Sequence, residues 1–377
     1  MTANRPRWLD VARSLLEQPT APLCEELPRA HVREVATAAG LAVSEDEAGN
    51  VLVRYDGVGA DTARPLVLVA HLDHPGFAID DVAAGEARLT FRGGLATDAV
   101  RLEESAVHFF AGGERDPTGE GLVTATSGEG AYLRTATARV TEGEARTGGF
   151  AMWAFPGWET GDPARITGRV CDDLVGAAAA LAVLLDLAVD RPESVAVWGL
   201  FTRGEEIGFL GALEAIRLGV VPRDAAVLSL ECSKALPGAE QGDGVIVRVG
   251  DRSSIFDPAL SEALRTAAQR LSDGDPSGRF RYQRRLMDGG ACEATAFCAA
   301  GYRASGLALP LGNYHNAADD RSGVAAEHVH VDDYAAEIEL LASLARDPTT
   351  LEPPAGPPAW FGERSRRARE LLAGGGA

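Results

Sequence analysis

The most constraining feature of the sequence is an apolar run that ends in two adjacent glutamates. Residues 194–201 read Ser-Val-Ala-Val-Trp-Gly-Leu-Phe, and residues 202–208 continue as Thr-Arg-Gly-Glu-Glu-Ile-Gly. Such a run, bounded by polar residues, predicts a buried strand, and apolar residues with helical spacing follow at 209–216. Glu205 and Glu206 therefore lie in the turn after a buried strand, which is where open α/β sheets bind ligands.

This glutamate pair has two interpretations. Adjacent carboxylates repel each other unless a cation or a shared proton separates their roles, which favours one metal ligand beside one general base. Taken alone, the pair fits a solvated turn as well, because the N-terminus of a helix favours acidic residues. Other parts of the chain have to decide between the two.

The composition excludes several classes of protein. With 377 residues, 46% of them hydrophobic, the chain is typical of a soluble globular protein with two domains. Its net charge of −19 argues against nucleic acid or an anionic membrane as a partner, because phosphate binding needs clustered cations. Lys234 is the only lysine, which we interpret as compositional bias. The N-terminus lacks a signal-peptide pattern, no run reaches membrane-spanning length, and five unpaired cysteines favour the cytoplasm.

A second polar motif follows the apolar run at residues 65–70, which predicts a central strand. This strand ends in His71-Leu72-Asp73, and alternation along a strand points His71 and Asp73 the same way. A carboxylate two residues away can orient the histidine ring or its metal. His74 is out of phase with His71, so we leave it out of the proposed ligands.

The segment from residue 83 to residue 164 has a different sequence pattern from the rest of the chain. Short strand-like pieces recur there, separated by Gly, Asp and Glu, with no long helical pattern between them. This spacing predicts a small barrel or sandwich inserted into an α/β domain. We therefore divide the chain into a catalytic domain in two parts (1–82 and 165–347), the inserted β-domain (83–164) and a Pro/Arg/Gly-rich C-terminal tail (348–377).

Three more candidate ligands follow predicted strands in the second half of the chain. Asp172 stands between a strand and a strongly apolar helix, Glu231 ends the run 225–230, and His315 follows the last clear strand, 303–309. Each has a simpler explanation when taken alone. Asp172, for example, fits an ordinary helix cap.

Together these positions favour a metal centre. His71, Asp172, Glu206, Glu231 and His315 all lie at the ends of predicted buried strands, which a parallel sheet gathers at one edge. Two histidines and three carboxylates suit two divalent ions with one acid bridging. Ions roughly 3.5–4 Å apart can share and activate a water and hold a substrate carbonyl oxygen. Glu205, beside a ligand and itself unused, is then the natural general base.

The sequence resembles the tetrahedral and glutamyl aminopeptidases, a family of dinuclear zinc metallopeptidases with an α/β catalytic domain. The resemblance covers roughly residues 10–345. The interval between His71 and Asp172 also fits, because this family inserts a small β-domain there. The motifs that carry it are His71-x-Asp73, Asp172-Asp173 with Val175-Gly176, Glu205-Glu206-Ile207-Gly208 with Gly211-Ala212, Glu231, and Tyr314-His315.

The resemblance implies a fold, a set of roles and an assembly. The fold is a mixed, largely parallel sheet flanked by helices, with a small inserted β-barrel. By analogy two metal ions are bound, most often zinc, with cobalt and manganese as alternatives, and the chain forms dimers that assemble to a dodecamer. The resemblance implies that Asp73 supports His71 and that Glu205 transfers the proton. The residues implied to bind metal are His71, Asp172 (bridging), Glu206, Glu231 and His315.

The sequence departs from the family pattern around the substrate pocket. Leu174 replaces the usual Arg, Glu231 replaces Asp, residues 289–293 stand near a Gly-Gly-Thr-Asp-Ala pattern, and Asn316 replaces Ser. We therefore expect an aminopeptidase acting on short peptides, with a metal-dependent deacylase or amidohydrolase of a small N-acyl compound as the alternative. An inactive binding module is disfavoured, because every ligand type and Glu205 are retained.

Overall fold

One mixed sheet and one closed β-barrel organise the chain in the computed structural model, which describes residues 4–60, 63–96, 101–351 and 359–374. Strands β4 to β9 form the barrel, and the other eleven form the sheet. In chain order the strands are β1 (Ala42–Glu45), β2 (Val51–Asp56), β3 (Leu66–His71), β4 (Gly76–Ala83), β5 (Glu86–Arg92), β6 (Ala106–Phe110), β7 (Gly119–Glu129), β8 (Tyr132–Gly143), β9 (Phe150–Trp153), β10 (Arg165–Gly168), β11 (Ala196–Thr202), β12 (Ala226–Ser229), β13 (Cys232–Lys234), β14 (Val245–Asp251), β15 (Tyr282–Met287), β16 (Arg303–Gly312) and β17 (Glu327–His330).

The centre of the sheet is parallel and its margins are mixed. The strand order is β1-β2-β11-β3-β12-β16-β14-β15, with β13 and β17 pairing β16, and β10 pairing β17. Strands β11, β3, β12 and β16 run in one direction, so their carboxyl ends meet at one edge. All six residues of β3 are buried, as expected of a parallel strand covered on both faces.

Helices cover the sheet, and the longest is buried within the molecule. The helix that the sequence predicts to be apolar on nearly every side, α3, packs against α1, α7 and β3. Its burial confirms that prediction. The helices are α1 (Arg5–Leu16), α2 (Glu26–Ala38), α3 (Leu174–Asp190), α4 (Leu210–Leu218), α5 (Pro258–Asp273), α6 (Glu293–Ala299), α7 (Val331–Arg346) and α8 (Ala359–Gly374).

The inserted barrel predicted from the short strands is present and closed. Its six antiparallel strands have the order β4-β5-β8-β7-β6-β9. A separate core fills it, with Phe77, Phe109 and Trp153 fully buried. Since β4 begins at Gly76, soon after the end of β3, the barrel starts close to the edge where the candidate site lies.

The C-terminal tail contains a helix that the sequence analysis did not predict. Helix α8 lies in the Arg-rich part of the tail, where apolar residues cluster near the two ends of the segment and leave a weak helical period. Residues 352–358 and 375–377 of the predicted tail lie outside the described residues. Among the residues that are described, no helix is long and apolar enough to cross a membrane.

Candidate metal centre

The carboxyl ends of neighbouring strands bring the predicted site residues together. His71 is the last residue of β3 and pairs in register with Thr202, the last residue of β11. A short 3₁₀ turn over Glu205–Ile207 follows β11, and another over Tyr314–Asn316 follows β16. Glu231 lies between β12 and β13, and Asp172 lies between β10 and α3.

Asp172 lies between the two histidines and directs one oxygen to each. Its Oδ1 is 3.6 Å from Nε2 of His71, and its Oδ2 is 3.7 Å from Nε2 of His315. On one side Glu231 is 4.0 Å from Nε2 of His71, and on the other Glu206 is 3.2 Å from Nε2 of His315. The five residues thus form two groups of donors that share Asp172, and within each group the donor atoms lie within 4.8 Å of one another.

Backbone carbonyl groups orient both histidine rings. Nδ1 of His71 donates to the backbone oxygen of Asp73 at 3.1 Å, and Nδ1 of His315 donates to the carbonyl oxygen of Gly94. In a neutral ring this leaves the Nε2 lone pair directed at the carboxylates, which is the arrangement of a metal-binding histidine. Gly94 follows β5 of the barrel, so the inserted domain helps to orient His315.

The electrostatics of the cluster favour positive charge between the histidines and the acids. Burial raises the pKa of Glu231 to about 8 and that of Glu205 well above its usual value. Burial alone lowers the pKa of His315, but the neighbouring Glu206 raises it to about 9. The pKa of His71 is likewise raised well above its usual value, because hydrogen bonds to Asp172 and Asp73 and the charge of Glu205 outweigh its burial.

The donor set fits divalent cations. Oε1 of Glu206 has no hydrogen-bond partner among the described residues, although it lies 3.2 Å from Nε2 of His315. Two acceptor atoms at this distance repel unless a proton or a cation lies between them, and burial of the surrounding carboxylates requires compensation. Histidine nitrogen and carboxylate oxygen are the donors that zinc and related metals take.

The carboxylate of Asp73 holds the turn that carries the glutamate pair. Its two oxygens accept the backbone amides of Glu205, at 2.9 Å, and Glu206, at 3.1 Å. Oδ1 is 3.6 Å from Nδ1 of His71, while the backbone oxygen of Asp73 makes the shorter contact with that ring. The sequence predicted the relation to His71 but not the two amide contacts.

Two other buried carboxylates act on the site and were missed in the sequence. Glu25 accepts the amide of Gly204 at 3.1 Å and pairs with Arg203 at 2.8 Å. Glu327 accepts the amides of Cys171, Asp172 and His315. No local sequence pattern pointed to Glu25. For Glu327 the available signal was an acidic residue at an inward-facing position of a short strand.

His74 lies beside the cluster, but its nitrogens point elsewhere. Nδ1 contacts the backbone oxygen of Asp172 at 2.7 Å, and Nε2 contacts Oδ1 of Asn316 at 3.1 Å. Since both nitrogens have these partners, the ring supports the segments that carry Asp172 and His315.

The cluster forms one wall of a cavity that is also lined by positively charged side chains. The cavity has a volume of about 410 Å³ and is lined by the five predicted ligands, Glu205, Arg248 and Lys234. Arg248 is only 3% exposed, and its Nε has no hydrogen-bond partner among the described residues. Lys234, the single lysine of the chain, is exposed. The cavity therefore presents positive charge beside the acidic cluster.

An α/β sheet with an inserted barrel and an enclosed cluster of this kind is found in a family of peptide-bond hydrolases. The chain belongs to the M42 glutamyl aminopeptidase family, whose model matches residues 136–340, more than half of its length. The matched region contains Asp172, Glu205, Glu206, Glu231 and His315. The family implies divalent metal ions, in agreement with the donor set.

Three solved structures with the same fold come from archaea. An aminopeptidase from Desulfurococcus kamchatkensis is 20% identical, with a TM-score of 0.74 over 94% of this chain and 99% of that one. A TET aminopeptidase from a marine-sediment thaumarchaeon is 19% identical, with a TM-score of 0.72 over 92% of this chain and 99% of that one. The TET1 peptidase of Pyrococcus horikoshii, which assembles into a tetrahedron or a large octahedral shell, is 18% identical, with a TM-score of 0.71 over 90% and 99%. No curated protein sequence matches the chain.

Proposed function

We propose that this protein is a metal-dependent aminopeptidase that removes N-terminal residues from short peptides with the help of two divalent cations. The observation that carries the proposal is the pair of donor groups that share Asp172. His71, Asp172 and Glu231 would hold one cation, and Asp172, Glu206 and His315 the other. Zinc suits these donors best, with cobalt and manganese as alternatives.

When bound, two such cations supply the Lewis acidity that activates water and polarises a peptide carbonyl. The chain's own contribution is the placement of the acids and bases around the peptide. Glu205 also lies within reach of His71 and Glu206. We assign it to neither cation, because the two groups that share Asp172 already use both histidines, and its Oε2 lies 4.0 Å from Nε2 of His71, at the cavity wall. Its carboxylate is therefore placed to take a proton from the attacking water and deliver it to the departing amine.

The substrate pocket favours a carboxylate. Arg248 is buried in the cavity wall, and a buried guanidinium gains most from a charged partner. The family description names a glutamyl aminopeptidase, which agrees with this positive wall. We infer that an N-terminal acidic side chain occupies the position beside Arg248. Lys234 adds positive charge at an exposed position of the same cavity.

The same arginine supports a second candidate function, a deacylase of N-acyl amino acids. These substrates carry a free carboxylate that could bind beside Arg248. One experiment separates the two. The purified protein is stripped with a chelator, reloaded with Zn²⁺, Co²⁺ or Mn²⁺, and assayed on matched pairs of free-amine and N-acetylated substrates. An aminopeptidase cleaves only the free-amine member of each pair, while a deacylase releases acetate from the blocked one. Undiminished turnover after complete metal removal would refute both.

The barrel supports a proposal about assembly. We expect the inserted domain, predicted at residues 83–164 and built as a barrel whose first strand already begins at Gly76, to mediate contacts between subunits, with dimers building a dodecamer. One solved structure of this fold is described as a dodecamer, and another forms tetrahedral or octahedral shells. Light scattering on the purified chain tests this, and a monomer at all concentrations would contradict it. Five free cysteines support a cytoplasmic location.

A further inference from the structure

Glu327 connects two segments that are far apart in the sequence. It lies at the start of β17 and is fully buried. Its Oε2 accepts the amides of Cys171 at 2.7 Å and Asp172 at 3.0 Å, and its Oε1 accepts the amide of His315 at 2.8 Å. One carboxylate therefore fastens the segment that carries Asp172 to the turn that carries His315.

The turn around His315 needs such a partner. His315 has a φ of 55°, in the left-handed region that side-chain-bearing residues seldom adopt, and Asn313 and Asn316 have φ values of 56° and 60°. Backbone of this kind persists only where surrounding contacts hold it. The bond from the His315 amide to a buried carboxylate is charge-assisted, and such bonds are about twice as strong as neutral ones.

We propose that Glu327 is a positioning residue for metal binding, which sets the separation of the side chains of Asp172 and His315. The proposal rests on the proposed function, in which these two side chains bind metal. Their contact of 3.7 Å, Oδ2 to Nε2, joins side chains from the two segments that Glu327 holds. A change in Glu327 should therefore act on the metal site without touching a ligand.

A neutral amide cannot replace this carboxylate. In Glu327→Gln the single acceptor oxygen can serve either the Cys171–Asp172 segment or His315, and the NH₂ group then faces an amide donor on the other side. We expect metal affinity to fall about 10–100-fold, the usual effect of losing an outer partner of metal ligands. The ligands themselves remain, so binding should weaken without being abolished.

The test compares metal binding in three forms of the full chain: wild type, Glu327→Gln and Glu337→Gln. Glu337 is the matched control, because it is also a fully buried glutamate and its oxygens have no hydrogen-bond partner among the described residues. Each metal-free protein is titrated with Co²⁺, followed by visible absorption, and with Zn²⁺ against a competing chelator. Thermal unfolding of the metal-free proteins checks that each is folded.

We expect weaker binding and an altered cobalt spectrum for Glu327→Gln only. Wild-type affinity and spectrum in a folded Glu327→Gln protein would overturn this inference while leaving the proposed function intact. If wild type binds no metal at all, the proposed function fails and this inference fails with it. Should Glu327→Gln not fold, Glu327→Asp replaces it, since it keeps the charge on a shorter side chain. Wild-type affinity in that variant would likewise overturn the inference.

Discussion

The carboxylate of Asp73 accepts the backbone amide of Glu205 at 2.9 Å, from Oδ1, and its other oxygen accepts the amide of Glu206 at 3.1 Å. A single buried side chain, two residues beyond the end of β3, thereby orients the turn that follows β11. Gly204, at φ 61°, provides the left-handed residue that lets the chain reverse there. From this turn the carboxylate of Glu205 lies near His71 and that of Glu206 near His315.

The contacts of Asp73 predict a loss of stability in Asp73→Asn. Asparagine offers one acceptor oxygen, so one of the two buried amides would face an NH₂ group. An unsatisfied buried donor costs about 1–3 kcal/mol, and we expect a drop of that size in the free energy of unfolding. Denaturant unfolding of metal-free protein measures it. The control is Asp81→Asn, which loses only an exposed ion pair with Arg88 and should cost less than about 1 kcal/mol. Equal stabilities of the two variants would contradict the prediction.

The proposed division of labour between the glutamates predicts different effects of two isosteric changes. Glu205→Gln should lower kcat by roughly 10²–10⁴-fold with full metal content, because only acid–base assistance is lost. Glu206→Gln should lower metal occupancy as well as rate, because an anionic ligand is lost. Metal analysis and peptide hydrolysis are measured in parallel on both. A metal-depleted Glu205→Gln beside a metal-replete Glu206→Gln would show that the roles are reversed.

The buried guanidinium of Arg248 predicts discrimination between substrates with Glu and Gln at the N-terminus. Arg248→Met should reduce kcat/KM for the Glu substrate by about 30-fold, which corresponds to about 2 kcal/mol for a hydrogen bond to a charged group. The Gln substrate should change little. Lys234→Met is the companion variant and, since Lys234 is exposed, should have the smaller effect. Parallel losses for both substrates in Arg248→Met would argue against a carboxylate subsite.

Glu337 predicts a dependence of stability on pH. Burial raises the pKa of this carboxyl from 4.5 to about 8, so the folded protein keeps it neutral. The folded-state pKa is higher than the unfolded-state pKa. The contribution of the Glu337 carboxyl to the free energy of unfolding is therefore fully present below about pH 4.5 and is lost as the pH rises through about 8. Relative to Glu337→Gln, wild type should lose up to about 1.4 kcal/mol per pH unit across that window. Urea unfolding of both proteins at pH 5, 6.5 and 8 measures the difference. A constant difference would contradict the raised pKa.

Local sequence patterns were sufficient to predict the sheet, the barrel and the placement of polar residues at one edge of the sheet. The apolar run before His71 and the run before Glu205 each predict a buried strand, and parallel strands place their carboxyl ends side by side. Strand alternation does not reach His74, which lies beyond the end of β3, and in the structure its contacts with the Asp172 backbone oxygen and Asn316 occupy both ring nitrogens. Helix α8 was missed, since its apolar residues give a weak period.

The sequence by itself therefore determined which elements form and which residue types end them, because strand and helix periods are short-range properties of the chain. Only the tertiary structure decided what holds those residues in place. Glu25 reaches Gly204 and Glu327 reaches Asp172 across 179 and 155 positions of the chain, and the carbonyl of Gly94 reaches His315 across 221. Such contacts leave no periodic signal, because they depend on how a buried carboxylate or carbonyl finds the nearest unpaired donor once the core has closed around it.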